Sequence, residues 1–294
     1  MSSQIADKLR VFPWFWAVIV PCLTFFLISG LLKGQSGGYQ SNARVDSIVG
    51  QVKSYNDAVQ SFRDKYNALP GDMAEAGKIL PGCTGDNGAD CNPHAATAGD
   101  RIVGRIDLSK SWKEQANAKT HVPAVSAADE SVLFWSHLRK AELIAGIAES
   151  VADGVPFAFG VTHPAARIGG GFIVGHLDGS PLPKSLAPKY SGIKGTSLLL
   201  VSDEVLRGEA EMNEAEKQAI TPLRAGQIDR KLDDGRTGTG YVQAYGSPDC
   251  FYSKKSETLY SKFLFWWRNY SPDEGEYNEV SEKKSCGLIF RIAD

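Results

Sequence analysis

The sequence predicts an α+β protein: a long N-terminal helix laid on a head built around an antiparallel sheet. Three patterns carry that expectation. An uncharged run, 11–32, is long enough to cross a bilayer. An amphipathic stripe with helical spacing follows it. Beyond that stripe, short β-branched and aromatic segments alternate with Gly, Pro and Asp, as strands do.

The run 11–32 reads VFPWFWAVIVPCLTFFLISGLL. Its length as a helix, about 33 Å, exceeds a hydrocarbon core of about 30 Å. A cleaved signal peptide has a shorter apolar region and a small-residue cleavage site, and no such pattern follows here. A retained transmembrane helix is therefore expected, with Cys22 as an apolar filler inside it. Lys8 and Arg10 precede the run and only Lys33 follows closely, so the charge bias places the N-terminus in the cytoplasm. The expected order is a cytoplasmic N-terminus (1–10), the membrane helix (11–32), its amphipathic extension (33–69) and a periplasmic head (70–294). The later apolar segment FLFWW (263–267) is too short to span. Together with Tyr252, Tyr260 and Tyr270 it forms an aromatic stretch suited to a partner-binding edge or a satellite cluster.

After the glycines at 30, 34, 37 and 38, apolar residues fall at Val45, Ile48, Val49, Val52, Tyr55, Val59, Phe62 and Tyr66. Steps of three and four put them on one helical face, which must bury against something. Pro70-Gly71 ends the helix, because proline lacks the amide donor and glycine tolerates turn angles. Further helices are expected over 130–147, 203–220 and 222–232. Strands are expected over 157–161, 171–177, 196–202, 240–245 and 286–292.

Composition narrows the function. Apolar residues at 43% and charged residues at 22% describe a folded chain, not a disordered one. A net charge of -2 gives no basic footprint for nucleic acid. His121, His137, His163 and His176 show no metalloprotease or zinc spacing, and no G-x-S-x-G elbow is present. No catalytic or cofactor-binding residue is expected. Asp229, Asp233 and Asp234 before Gly235 are a candidate calcium cluster, since calcium takes six to eight oxygens. The plainer reading of Asp-Asp-Gly is a turn. Apart from Cys22 there are four cysteines, Cys83, Cys91, Cys250 and Cys286, which allow three pairings that spacing alone does not resolve. Disulfides persist in oxidising compartments, in keeping with a periplasmic head.

Four segments in order carry a family likeness: FRDKYNALPGDMAEA (62–76), ESVLFWSHLRKAELIAG (130–146), QIDRKLDDGRTGTGYVQAYG (227–246), and CFYS (250–253) with CGLIFRI (286–292). Following the apolar helix, they resemble the type IV pilin and type II secretion pseudopilin superfamily. The resemblance implies a pilin-like fold and a non-catalytic subunit in the bacterial inner membrane that packs on other pilins or pseudopilins through its N-terminal helix. It also favours calcium near the C-terminal end. The layout suggests, as a hypothesis, that Cys83 pairs with Cys91 around a short loop and Cys250 with Cys286 across the last strand. One departure stands out. The stretch ADKLRVFPWFW has neither the glycine after which prepilin peptidase cuts nor a glutamate within the run. A stand-alone anchored periplasmic binding or adhesion module is the competing expectation.

Overall fold

The computed structural model describes residues 42–86, 88–108, 128–148, 157–253 and 273–292. The expected membrane span, Cys22, His121 and the aromatic stretch from Tyr260 to Tyr270 lie outside these residues. No helix among the described residues is long and apolar enough to cross a membrane.

Helix α1 occupies 42–66. The expected stripe is its buried face: Val45, Ile48, Val52, Tyr55, Val59 and Phe62 are buried, joined by Ala58. Val49 and Tyr66, at the margins of that face, are half-buried. The helix ends where Asn67 takes a left-handed conformation (φ 52°). Gly71 follows at φ 88°, and a Cβ there would lie 2.3 Å from the Glu130 carbonyl oxygen and 2.9 Å from the Phe134 nitrogen. The turn after α1 therefore sits directly on a second helix, and only glycine allows that approach.

A single turn, α2 (Ala76–Ile79), and a 3-10 turn (Ala89–Cys91) lead to α3 (Glu130–Lys140). All residues of α3 except Arg139 are buried. It was expected to run to 147 but stops at Lys140. Glu142 takes φ 60°, its N–H donates to the Arg139 carbonyl, and the Leu143 N–H donates to the Leu138 carbonyl. This is a Schellman termination with glutamate where glycine is usual.

The sheet contains β1 (Gly171–Asp178), β2 (Lys194–Val201), β3 (Val242–Gly246) and β4 (Cys286–Arg291). Their spatial order is β1-β2-β4-β3, with antiparallel neighbours throughout. Period-two alternation sorts the strands into two faces. Phe172, Val174, Leu198, Leu200, Val242, Leu288 and Phe290 join the cluster containing the stripe of α1, whereas Ile173, Leu199, Val201, Tyr245 and Ile289 form a second one. Ile106, Leu186, Ile193, Val205 and Met212 cover the second face. Both edges carry partners. The His176 N–H of β1 donates to the Gly104 carbonyl, and on β3 Ala244 N–H donates to Thr237 and Gly246 N–H to Leu186. Such cover blunts an edge as a template for further strands.

Between β2 and β3 lie α4 (Asp203–Leu206) and α5 (Pro222–Leu232). The expected helix over 203–220 is confined to α4, capped by the Ser202 hydroxyl and ended by Gly208 at φ 69°. Beyond it the chain is irregular until Ile220 bridges to Cys286. Helix α5 matches expectation, with proline in its first turn. The expected strand 157–161 is instead a turn: the Ala158 carbonyl accepts from Val161, Thr162 and His163, and Gly160 is at φ 79°. Both hypothesised disulfides are present, Cys83–Cys91 and Cys250–Cys286. Each ties chain ends that fold nearby and contributes typically about 2–4 kcal/mol.

Gly71→Ala should destabilise the protein by at least about 2 kcal/mol, since it combines a strained φ with a backbone clash. Urea unfolding monitored by circular dichroism checks this. A midpoint equal to wild type would show that the turn does not rest on α3.

Candidate functional site

The predicted carboxylates are brought together at the joint between α5 and β3. One oxygen from each of Asp229, Asp233 and Asp234 lies within 4.8 Å of the others. Asp229, on the last turn of α5, is fully buried. It accepts from the Tyr277 hydroxyl at 2.8 Å and the Gly235 N–H at 3.1 Å. Asp233 accepts from the N–H groups of Tyr241 (2.6 Å) and Val242 (3.0 Å), fixing the start of β3. The chain passes so close that a Cβ on Gly240 would meet Asp233 Oδ2 at 1.8 Å. Asp234 accepts from the Arg236 N–H and the Thr239 hydroxyl. The cluster thus forms a helix-to-strand joint in which each carboxylate accepts two donors. A calcium ion there would have to share those oxygens.

Burial pushes the Asp229 carboxyl up to about 7. The donors Tyr277 and Gly235 oppose the shift, while Asp234 and Asp233 add to it. Burial, helped by the charge of Asp229, also holds the Tyr277 hydroxyl far above its ordinary range, so it remains a neutral donor.

His137 and His163 are held within the framework. His137 is fully buried, its Nδ1 accepting from the Gly71 N–H at 2.9 Å. That leaves Nε2–H to donate to the Cys91 carbonyl at 2.8 Å, which sets the tautomer. Burial lowers its pKa to about 4. Burial does the same to His163, whose Nδ1 meets the Thr162 hydroxyl at 2.9 Å. Of the two, His137 has both ring nitrogens engaged by the backbone, which fixes it as a link between the turn at Gly71 and the Cys91 loop.

A second carboxylate cluster, Asp72, Asp100 and Glu130, was not expected from sequence. Asp72, just after the turn at Gly71, accepts from the N–H groups of Gly99 (2.6 Å), Asp100 (3.1 Å) and Arg101 (2.8 Å). Glu130 opens α3, and its Oε2 accepts from the Gly104 N–H at 3.0 Å. The Thr97 hydroxyl hydrogen-bonds to the Glu130 carboxyl and also lies 3.2 Å from the His94 carbonyl oxygen. Burial raises the Glu130 carboxyl to about 7. Thr97 and Gly104 pull it down, and Asp72 and Asp100 push it up. No local motif announces this cluster, because its members come from three distant segments. The only sequence signal is Pro70-Gly71-Asp72 itself.

Between α1 and the β3–β4 side of the sheet lies an open groove of about 350 Å³, lined by Lys53, Asn56, Tyr241, Arg291 and apolar side chains. Comparison of the chain with protein-family models, with curated proteins and with solved structures gives no match.

The raised Asp229 pKa has a signed consequence. Between about pH 4, its unfolded value, and pH 7 the folded state holds a proton that the unfolded state has released, so its contribution falls as pH rises. The two histidines act in the opposite sense between pH 4 and 6.5, so the wild-type profile mixes the two effects. The comparison with Asp229→Asn isolates the carboxyl. Its melting temperature relative to wild type should increase from pH 5 to about pH 7 and level off above that, in chelator. A pH-independent difference would refute the assignment.

Proposed function

We propose that this chain is a non-catalytic, pilin-like structural subunit held in a bacterial inner membrane by residues 11–32. It would enter a type IV pilus or type II secretion pseudopilus through its N-terminal helix, with its head in the periplasm. The observation that carries this reading is the use made of α1. Its amphipathic face from Val45 to Phe62 is buried within the chain's own head. The uncharged run before it is therefore the part left to pack on lipid or on neighbouring helices. Subunit assembly of this kind relies on helix packing, not chemistry. Two disulfides suit an oxidising compartment. The segments that resemble pilins and pseudopilins fall on framework features: the turn at Gly71, α3, the α5–β3 joint and the Cys250–Cys286 tie.

The test is fractionation of cells carrying an epitope-tagged copy, with single cysteines introduced across 11–32. The subunit should appear in sheared filaments or crosslink to other pilins through those cysteines. Absence from both would end the subunit reading.

The junction ADKLRVFPWFW favours a second reading, a stand-alone inner-membrane-anchored periplasmic binding or adhesion module. Intact mass from the native membrane separates the two. Loss of an N-terminal peptide supports entry into a filament, and a full-length mass supports the permanently anchored module. Reduction should add about four mass units, two for each disulfide.

A further inference from the structure

We infer that the Cys83–Cys91 disulfide is a site of thiol–disulfide exchange, opened by a dithiol that attacks Cys83, and that its reduction loosens α3 from the turn after α1. The inference is independent of the pilin-like reading.

Exchange needs a disulfide sulfur that an incoming thiolate can reach. The two disulfides differ in that respect. Cys83 is half-buried, and its neighbours Gly82, Thr84 and Gly85 are exposed. Cys91, Cys250 and Cys286 are fully buried. Cys286 is also locked into the backbone network, trading hydrogen bonds with Ile220 and pairing with Gly246 across β3 and β4. Of these four cysteines, Cys83 is therefore the one open to attack.

Charge does not close the approach. A carboxylate oxygen of Asp90 lies within 4.8 Å of both sulfurs of the pair. That carboxylate is itself occupied, accepting from the Thr84 N–H and from the Thr84 hydroxyl at 3.1 Å. The Lys140 ammonium, whose side chain is 3% exposed, lies 3.7 Å from Asp90 Oδ2. It offsets the negative charge that an incoming thiolate would otherwise meet.

Both ends of the bond adjoin hydrogen bonds to α3. The Gly82 carbonyl, one residue before Cys83, accepts from Lys140 Nζ at 2.6 Å. The Cys91 carbonyl accepts from His137 Nε2–H at 2.8 Å, and His137 Nδ1 accepts from the Gly71 N–H. The disulfide closes a loop of sequence separation 8 and so fixes these two acceptors relative to each other. Opening it restores the freedom that loop closure removes. The acceptors can then leave α3, while Cys250–Cys286 still ties the last strand.

The exchange balances with a dithiol as reductant. One thiolate attacks Cys83 Sγ, the bond to Cys91 Sγ breaks, and Cys91 leaves as a thiolate that takes a proton. The second thiolate of the reductant then attacks its own sulfur in the mixed disulfide and frees Cys83. Two electrons and two protons pass to the cysteine pair, and the dithiol becomes a disulfide.

The experiment uses the full-length protein in detergent, with free thiols first blocked by N-ethylmaleimide. Dithiothreitol is added under native conditions. Newly freed thiols are trapped with iodoacetamide and located by peptide mass spectrometry. Cys83 and Cys91 should be labelled at least about tenfold faster than Cys250 and Cys286. Hydrogen exchange in the protein reduced at that pair should quicken at least about tenfold at Gly71 and in α3, with the four strands unchanged. The double variant Cys83→Ser, Cys91→Ser should show the same faster exchange without reductant. Equal labelling rates, or earlier labelling of Cys250 and Cys286, would overturn the exchange site. Unchanged hydrogen exchange in α3 after reduction would overturn the loosening. If the double variant fails to fold, the reduced wild type decides the question alone.

Discussion

The burial of one face of α1 against the sheet is the contact on which the rest of the head depends. Val45, Ile48, Val52, Val59 and Phe62 are at most 7% exposed. Burying an aliphatic or aromatic side chain of that size is worth roughly 1.5–3 kcal/mol. Tyr55 lies at the centre, edge-on to Trp135 of α3 and to Phe172 of β1. One residue thus joins helix, helix and sheet. Because α1 and α3 occupy one face of the sheet, the other face needs separate cover. The 106–108 segment, the loop before β2 and the region from α4 to Met212 supply it.

Placing α3 inside the protein has a consequence for its polar side chains, which must find partners there. His137 links the Gly71 amide to the Cys91 carbonyl, and Lys140 donates to the Gly82 carbonyl at 2.6 Å. Both contacts reach toward the loop closed by Cys83–Cys91. The disulfide loop, the turn after α1 and α3 therefore form one mutually supporting unit. Low dielectric strengthens such a network when it is complete and makes any gap in it costly.

The two carboxylate clusters show how the backbone path supplies donors to buried acidic groups. At the α5–β3 joint the chain turns so tightly that successive amides and two hydroxyls fall within reach of the three aspartates. In the second cluster the amides of Gly99, Asp100 and Arg101 converge on Asp72, while Gly104 and Thr97 serve Glu130. The residues are chemically alike. The path of the backbone brings a different set of donors to each.

Elements whose burial follows their own periodicity were legible in the sequence: the stripe of α1, the four strands and the proline-started α5. The predicted aspartates do converge, because they lie within one helix turn and the residues after it. Local patterns failed where a neighbour decided the backbone. Glu142 ends α3 in a conformation that glycine usually takes, Thr162 holds 157–161 in a turn, and Gly208 stops α4 within one turn of an apparently helical run. The sequence by itself therefore determined which faces had to be buried, since that information repeats every two or every 3.6 residues. Only the tertiary structure decided that Asp72, Asp100 and Glu130 would meet. Their approach is set by how a turn, a loop and a helix pack together, and no periodic signal along the chain records that packing.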